Sequence, residues 1–375
     1  MILTLAIRNL FHDRMRLIVT VVGILFSIVL VAVQSGLYVG ASKMIIAMIE
    51  KADGDLWITA YGAKSFEESG VLSGRERYAA LATPGVVSAT PVIAAFNRWT
   101  KKSGGRQLCV IVGFDETEGD LRPWNIVDGS IETIKLPDGV AVDRTYFENL
   151  DVDGIGDNGE IEGERVRVTA LTHGIRSFTT TPYIFTTLTR ARQILGMPSG
   201  SASYFVVKLA PGADRDAIQK SLQAQLTDVE VLTDDEFRGR SLEHWLFGTG
   251  AGFSLIGGAL LGILVGTVIV AQTLYSSTKD HINEFATLRA LGSSSGYIHK
   301  VILMQAGLSA VIGYALGMAI SMAVIYASRD SALPIIMTPT LAAGLFVLTI
   351  VMCAVSAISA IVKVTRIDPA MVFAR

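Results

Sequence analysis

The sequence predicts an α-helical membrane protein with four transmembrane helices in a 1+3 arrangement and a large mixed α/β extracytoplasmic domain between helices 1 and 2. Two observations carry this. Asp, Glu, Lys and Arg are absent from Leu17 to Gly40, and again from Trp245 to Thr278, Val301 to Ser328 and Ser331 to Val362. Each run exceeds the roughly 20 apolar residues that a helix needs to cross a hydrocarbon core. The composition agrees, with 50% of the 375 residues hydrophobic and 18% charged. A net charge of −2 leaves no electrostatic footprint for nucleic acid.

Residues 1–16 read as a cytoplasmic interfacial helix. Ile2, Leu3, Leu5, Ala6, Leu10 and Phe11 supply an apolar side, against Arg8, Asn9, His12 and Asp13. Residues 17–40 form span one, too long for a signal-peptide core and therefore an uncleaved anchor. Met44 with Met48 and Ile45 with Ile49 repeat at four-residue spacing, so the helix should continue past the membrane, with the methionines packing rather than binding metal. Residues 41–245 make the extracytoplasmic domain. Spans two, three and four fall at 246–276, 300–328 and 333–362, with a coupling loop at 277–299 and a tail at 363–375. Arg8, Arg14 and Arg16, then Lys279, Arg289 and Lys300, then Lys363, Arg366 and Arg375 flank the spans on one side, whereas the last loop holds only Arg329 beside Asp330. Both termini are therefore expected in the cytoplasm and the large domain outside it.

Within the domain, strand alternation marks 55–60, 86–99, 107–114, 140–142, 165–172, 183–187, 203–209 and 229–232. Short helices are expected at 74–81, stopped by Thr83-Pro84-Gly85, and at 214–226, with Asp214 as N-cap. Two β-α-β units, at about 55–99 and 203–232, should pair into one subdomain, with a β-rich subdomain inserted at about 101–200. In the spans, Gly36 and Gly40, then Gly258, Gly262 and Gly266, then Gly313 and Gly317, recur at four-residue spacing that suits close helix packing, within one chain or between two. Gln34 and Gln272 are the long polar side chains well inside the first two spans. No Asp, Glu, Lys, Arg or His lies within the four apolar runs, which argues against a self-powered ion or proton carrier.

No enzyme site emerges. Gly62-Ala63-Lys64-Ser65 lacks the glycine that a phosphate loop needs before its lysine. Gly292-Ser293-Ser294-Ser295-Gly296 matches a nucleophile elbow by letters but joins two helices. The segment from Asp151 to Asp157, with Glu162, echoes a calcium loop but places Ile155 where an oxygen ligand belongs, and reads better as a solvated turn. The two cysteines and five histidines form no ligand spacing. Neither a cofactor nor a metal is expected in this chain. The most specific local signal lies between spans two and three, where a short helix carries Glu284, Phe285, Leu288, Arg289 and Leu291 and stops at Gly292.

Five segments, Leu5–Arg16, Thr83–Val92, Ile155–Leu171, Asn283–Ile298 and Arg366–Arg375, together with the span layout, resemble the MacB/FtsX-type ABC permease superfamily, and within it the stand-alone DevC-like permeases. The resemblance implies that the Asn283–Ile298 segment is the coupling helix that rests on an ATPase, with Glu284, Phe285, Leu288, Arg289, Leu291 and Gly292 in that role. It also implies a homodimer in the bacterial inner membrane, served by a separate ABC ATPase that holds ATP and Mg. For export-type members it implies a periplasmic adaptor (a membrane-fusion protein) and an outer-membrane channel. The function expected is that of an ATP-driven exporter or extractor of an envelope or periplasmic substrate. The alternative is an FtsX-like signalling scaffold controlling a periplasmic partner such as a cell-wall hydrolase.

Overall fold

The computed structural model describes residues 2–117 and 121–365, so the expected family segment at 366–375 lies outside the described residues. The chain divides into two units. One comprises residues 1–39, 253–329 and 334–375, the other residues 40–252 and 330–333.

In chain order, α1 (Ile2–His12) and α2 (Arg14–Ala52) come first, separated at Asp13. Then follow β1 (Leu56–Ala60), α3 (Arg75–Ala82), β2 (Val86–Thr100), β3 (Arg106–Phe114), β4 (Ile126–Gly129) and α4 (Ile131–Ile134). Next are β5 (Gly139–Asp143), α5 (Phe147–Leu150), β6 (Asn158–Ile161), β7 (Glu164–Thr172), β8 (Tyr183–Thr187) and α6 (Leu188–Leu195). The chain continues through β9 (Tyr204–Leu209), α7 (Arg215–Gln225), β10 (Val229–Thr233), α8 (Asp234–Leu242) and a π-helical turn at Glu243–Gly248. It ends with α9 (Ala251–Asp280), α10 (Ile282–Ala290), α11 (Ser295–Ala327) and α12 (Pro339–Thr365).

Among the described residues, four helices are long and apolar enough to cross a membrane: α2, α9, α11 and α12. Their bounds differ from the charge-free runs for local reasons. Gly250, at φ 82°, breaks the chain after the π turn, so α9 starts at Ala251 rather than 246. The run after Asp330 is apolar throughout, yet α12 starts only at Pro339. Pro334 interrupts the segment, and Pro339 occupies the first helical turn, where a missing N–H costs nothing.

In the first unit, α2 is the helix against which the others pack. Side chains on its successive turns meet small residues. A Cβ on Gly313 would stand 2.5 Å from Ile24, one on Gly317 3.0 Å from Ile28, and one on Gly266 2.5 Å from Ser27. A Cβ on Gly262 would stand 3.0 Å from Val31 and one on Gly36 2.5 Å from Ile335. Gly40 is buried. The small-residue rows therefore serve packing within this chain. Hydrogen bonds reinforce the approach: Ser27 donates to Gly262 O (2.7 Å), Ser356 to Thr267 O (2.9 Å) and Tyr314 to Ala342 O (2.8 Å). In hydrocarbon, where no water competes, such bonds act as interhelical glue.

The second unit is built on one mixed ten-stranded sheet, order β10-β1-β9-β2-β3-β8-β5-β7-β4, with β6 pairing β2 and β7. The strands of the two expected β-α-β units interleave, with β1 between β10 and β9, and β9 against β2, all antiparallel. The middle of the domain is not a separate sheet. The 15-residue β2 pairs with β9 through Val86–Val92 and with β3 through Ile93–Thr100. In β1, Leu56 and Ile58 enter the cluster under α3 and α7, while Trp57 faces Phe66, Tyr204 and Phe237. That is the period-2 alternation of a strand covered on both faces. Asp214 caps α7, accepting from Ala217 N at 3.1 Å. Gly85, at φ 93°, lets the chain reverse between α3 and β2.

Candidate coupling site

The nine-residue α10 is too short to hold itself together in isolation. Its two ends are fixed locally. At its C-terminus Gly292 takes φ 93°, Gly292 N donates to Arg289 O and Ser293 N to Leu288 O, both at 3.0 Å. This is the doubly bonded left-handed stop for which glycine has no steric penalty. Ser294 then caps α11, its hydroxyl accepting from Tyr297 N. The serine cluster 293–295 thus restarts a helix and is not a nucleophile elbow.

The candidate residues separate into two sets. Phe285 is 2% exposed and, with Ala286, lies in the core formed by Val270, Leu274, Ile298 and Ile302, with Ile282 and Leu288 packed at its edge. Phe285 and Leu288 therefore seat α10 on its own bundle. Glu284 and Gly292 are exposed, and Leu291 is 79% exposed. Together with Asn283, Thr287 and Ala290 they form the outward edge. Arg289 is half-buried.

One set of contacts was hidden from sequence reasoning. Arg16, at the start of α2, pairs with Asp13 (3.2 Å) and in close contact with Asp280, the last residue of α9. A carboxylate at a helix C-terminus opposes the helix dipole, and the guanidinium offsets that repulsion. His281 Nδ1 lies 3.1 Å from Glu284 Oε1, and its ring meets that of His12 at 6.3 Å between centroids. The corner before α2 and the loop carrying α10 are thus joined by side chains. Arg16 read alone signals only orientation.

In the second unit, the end of α2 and the segment that follows α8 are both anchored. Met48, Ile49 and Ala52, at the end of α2, lie in the core with Trp57 and Phe237. Glu50 sits 3.5 Å from Arg238 on α8, and Arg238 also contacts Asp234, which accepts from Trp57 Nε1 at 3.3 Å. Glu67, 4% exposed, accepts from Tyr183 OH at 2.5 Å and from Trp245 Nε1 at 3.2 Å. Burial, followed by the Glu67 charge, pushes the Tyr183 hydroxyl well above its ordinary pKa, so it stays a donor. Phe178 packs edge-on against Trp245 at 6.1 Å. The π turn that precedes α9 is held by a buried carboxylate.

The other motif candidates resolve locally. Gly62 N donates to Glu230 Oε2 at 3.0 Å, so the Gly62–Ser65 turn presents its amide to a carboxylate. In the loop from Asp151, the Asp157 carboxylate accepts from Asp153 N (2.6 Å) and Lys102 Nζ (2.6 Å), while Asp151 accepts from Ser103 N (2.7 Å). Those partners lower both carboxyl pKa values, Lys102 first for Asp157 and Ser103 first for Asp151. Among the described residues no group of three or more His, Cys, Asp or Glu could hold a metal. Cys109 is buried in β3, and its thiol is pushed up to about 12 by desolvation.

Comparison with known proteins adds two family matches. Residues 17–225, more than half of the chain, match the MacB-like periplasmic core domain. Residues 256–369 match the FtsX-like permease C-terminal domain. Among solved structures, the periplasmic region of MacB from Actinobacillus actinomycetemcomitans is 13% identical, covering 52% of this chain and 94% of its own, with a TM-score of 0.37. The extracellular domain of the noncanonic ABC-type transporter YknZ from Gram-positive bacteria is 10% identical, covering 48% of this chain and 99% of its own, with a TM-score of 0.35. No curated protein matches the chain.

Proposed function

Because this chain belongs to the MacB/FtsX family of ABC transporter permeases, we propose that it is the permease subunit of an ATP-driven exporter or extractor acting on an envelope or periplasmic substrate. Permeases of this family work with ABC ATPases. In this reading a separate ATPase subunit binds ATP and Mg and docks on the edge of α10. Two copies of this chain sit in the bacterial inner membrane with both termini cytoplasmic and the sheet domain periplasmic. A periplasmic adaptor and an outer-membrane channel complete the path.

The observation that carries the reading is the way α10 is mounted. Phe285 locks it into the bundle, so a push on its outward edge reaches α9 and α11 through packed side chains. Asp280 and Arg16 extend the same path to α2. Packed cores respond to such a push as rigid bodies rather than by local yielding. The core contacts of Met48 and Ile49 and the Glu67–Trp245 bond supply firm attachments at the domain ends of the connecting segments.

The test is purification of the intact chain from its native membrane in mild detergent, followed by mass spectrometry. An ATPase with a membrane-fusion adaptor is expected. An ATPase with a wall hydrolase, and no adaptor, would replace export by signalling. Absence of any ATPase after crosslinking through the loop around Lys279–Lys300 would overturn the permease reading. Arg289→Glu should leave membrane insertion intact and abolish ATP-dependent function. Normal transport by a well-expressed mutant would remove Arg289 from the docking role.

A further inference from the structure

Helix α1 is divided lengthwise into three sectors. Successive residues stand about 100° apart around a helix, so Leu3, Ile7 and Phe11 fall within one sector of about 80°. All three are exposed, Phe11 by 53%. A second sector, holding the fully buried Ala6, packs against α11. The third sector, with Thr4, Arg8 and His12, is exposed and polar. Span α2 then opens with a second apolar row, Ile18, Val22 and Phe26, at four-residue spacing and each about half exposed.

The three arginines of this corner are not equivalent. Arg16 contacts Asp13 and Asp280, and Glu284 lies against His281. Arg8 and Arg14 are both exposed, and among the described residues neither side chain forms an ion pair or a hydrogen bond. The carboxylates of the corner are thus engaged within the protein, and two guanidiniums stay open beside an apolar surface.

We propose that α1 and the start of α2 hold an anionic phospholipid, with its headgroup phosphate on Arg8 and Arg14 and its acyl chains over Leu3, Ile7 and Phe11. Guanidinium forks match phosphate oxygens in geometry as well as charge. A free phosphate would answer the arginines and leave the apolar sector in water. A lipid supplies both chemistries at once, and the row on α2 continues the apolar surface into a span that hydrocarbon covers. Charge then selects among lipids. A zwitterionic headgroup brings its own cation to the phosphate, whereas an anionic one leaves its charge to the protein. Each arginine near an anionic surface contributes about fivefold in affinity. The site does not depend on whether the chain exports or signals. With the N-terminus in the cytoplasm, as proposed above, the lipid belongs to the inner leaflet, and the contact itself is independent of that orientation.

The experiment is native mass spectrometry of the full-length chain, alone and with its co-purified ATPase, titrated in detergent with dioleoyl phosphatidylglycerol or dioleoyl phosphatidylcholine. The parent should retain phosphatidylglycerol about 25-fold more tightly than phosphatidylcholine, the product of two arginine contributions. Arg8→Gln and Arg14→Gln should each weaken phosphatidylglycerol retention about fivefold, and together abolish the preference. The double lysine variant, Arg8→Lys with Arg14→Lys, should keep most of the preference, which separates loss of charge from loss of fold. Lys279→Gln, the same change of charge at the exposed end of α9, should behave as the parent. Phe11→Ser should weaken retention of both lipids. Equal retention of the two lipids by the parent, or an unchanged preference in the double glutamine variant, overturns the proposal. Displacement of phosphatidylglycerol by an equal concentration of inorganic phosphate would make this a free-anion site instead. Loss of phosphatidylglycerol when the ATPase is present would assign the arginines to protein docking and leave the permease reading standing.

Discussion

The seating of α10 on its bundle and its proposed docking role can be separated by two substitutions, Phe285→Ala and Leu291→Asp. Phe285 is 2% exposed and surrounded by Val270, Leu274, Ile298 and Ile302, so truncation leaves a cavity that should cost about 3–5 kcal/mol. That loss frees a helix too short to persist alone. Leu291 is 79% exposed, and its replacement should change the stability of the chain by no more than about 0.5 kcal/mol. If a partner covers it, placing a carboxylate there forfeits the burial of a leucine, about 1.5–3 kcal/mol, or roughly 10- to 150-fold in affinity. The assay reconstitutes each variant with the co-purified ATPase in lipid nanodiscs and reads thermal stability, ATPase association and substrate-stimulated hydrolysis. Both variants should lose stimulation, but only Phe285→Ala should lose stability. Tight ATPase association by Leu291→Asp, with the defect confined to Phe285→Ala, would refute the docking edge and leave α10 as a connector.

Other predictions address the bundle and the domain. Gly266→Leu and Gly313→Leu should destabilise the bundle by about 1–3 kcal/mol or more through overpacking, visible as a lower melting temperature in detergent, whereas Gly257→Ala, with nothing within 4 Å, should be silent. Glu67→Ala strands the Tyr183 hydroxyl and the Trp245 indole N–H and should cost about 2–3 kcal/mol, read as earlier proteolysis near the Trp245 turn. The Asp157 and Asp151 carboxyls have depressed folded-state pKa values, so their contacts contribute fully above the ordinary aspartate value of about 3.9 and are lost as pH falls through the lower folded values. Hydrogen-exchange protection at Ser103 N and Asp153 N, relative to intrinsic rates, should therefore hold at pH 6 and vanish in stronger acid.

Features with one-dimensional signatures were legible in the sequence. The alternation at 55–60, the Asp214 cap, the Thr83-Pro84-Gly85 stop and the Met44/Met48 spacing each correspond to an observed local structure. β4 and β6 have no clear signal because Ile126–Gly129 and Asn158–Ile161 are only four residues long and mostly polar, with little hydrophobic alternation. The helix α8 was missed although Thr233 and Glu236 spell a capping box that the structure forms. Helical spacing puts Phe285 and Leu288 on one face, and a helix of two and a half turns does not reveal whether such a face meets its own bundle or a partner. The pairing of Arg16 with Asp280, 264 residues apart, and the convergence of Tyr183 and Trp245 on Glu67 have no local signature at all.

The double membership of β2 sets an order of assembly. Its second half closes a short hairpin with β3 through the turn at Lys101–Gly105, a contact available as soon as both strands exist. Its first half must wait for β9, as the pairing of Ala89 with Val207 and of Val92 with Tyr204 illustrates. β1 waits longer still, since its partners are β9 and β10, and Trp57 meets Asp234 across 177 residues. Contacts so distant in the chain carry a loop-closure cost before they return any stability, and they form slowly. Until β9 and β10 arrive, β1 and half of β2 offer unpaired strand edges, the form of exposed backbone most prone to wrong pairing. The domain therefore depends on its last-made strands to protect its first, and a chain truncated between β8 and β9 should be captured by proteases or aggregate rather than persist as a half-domain.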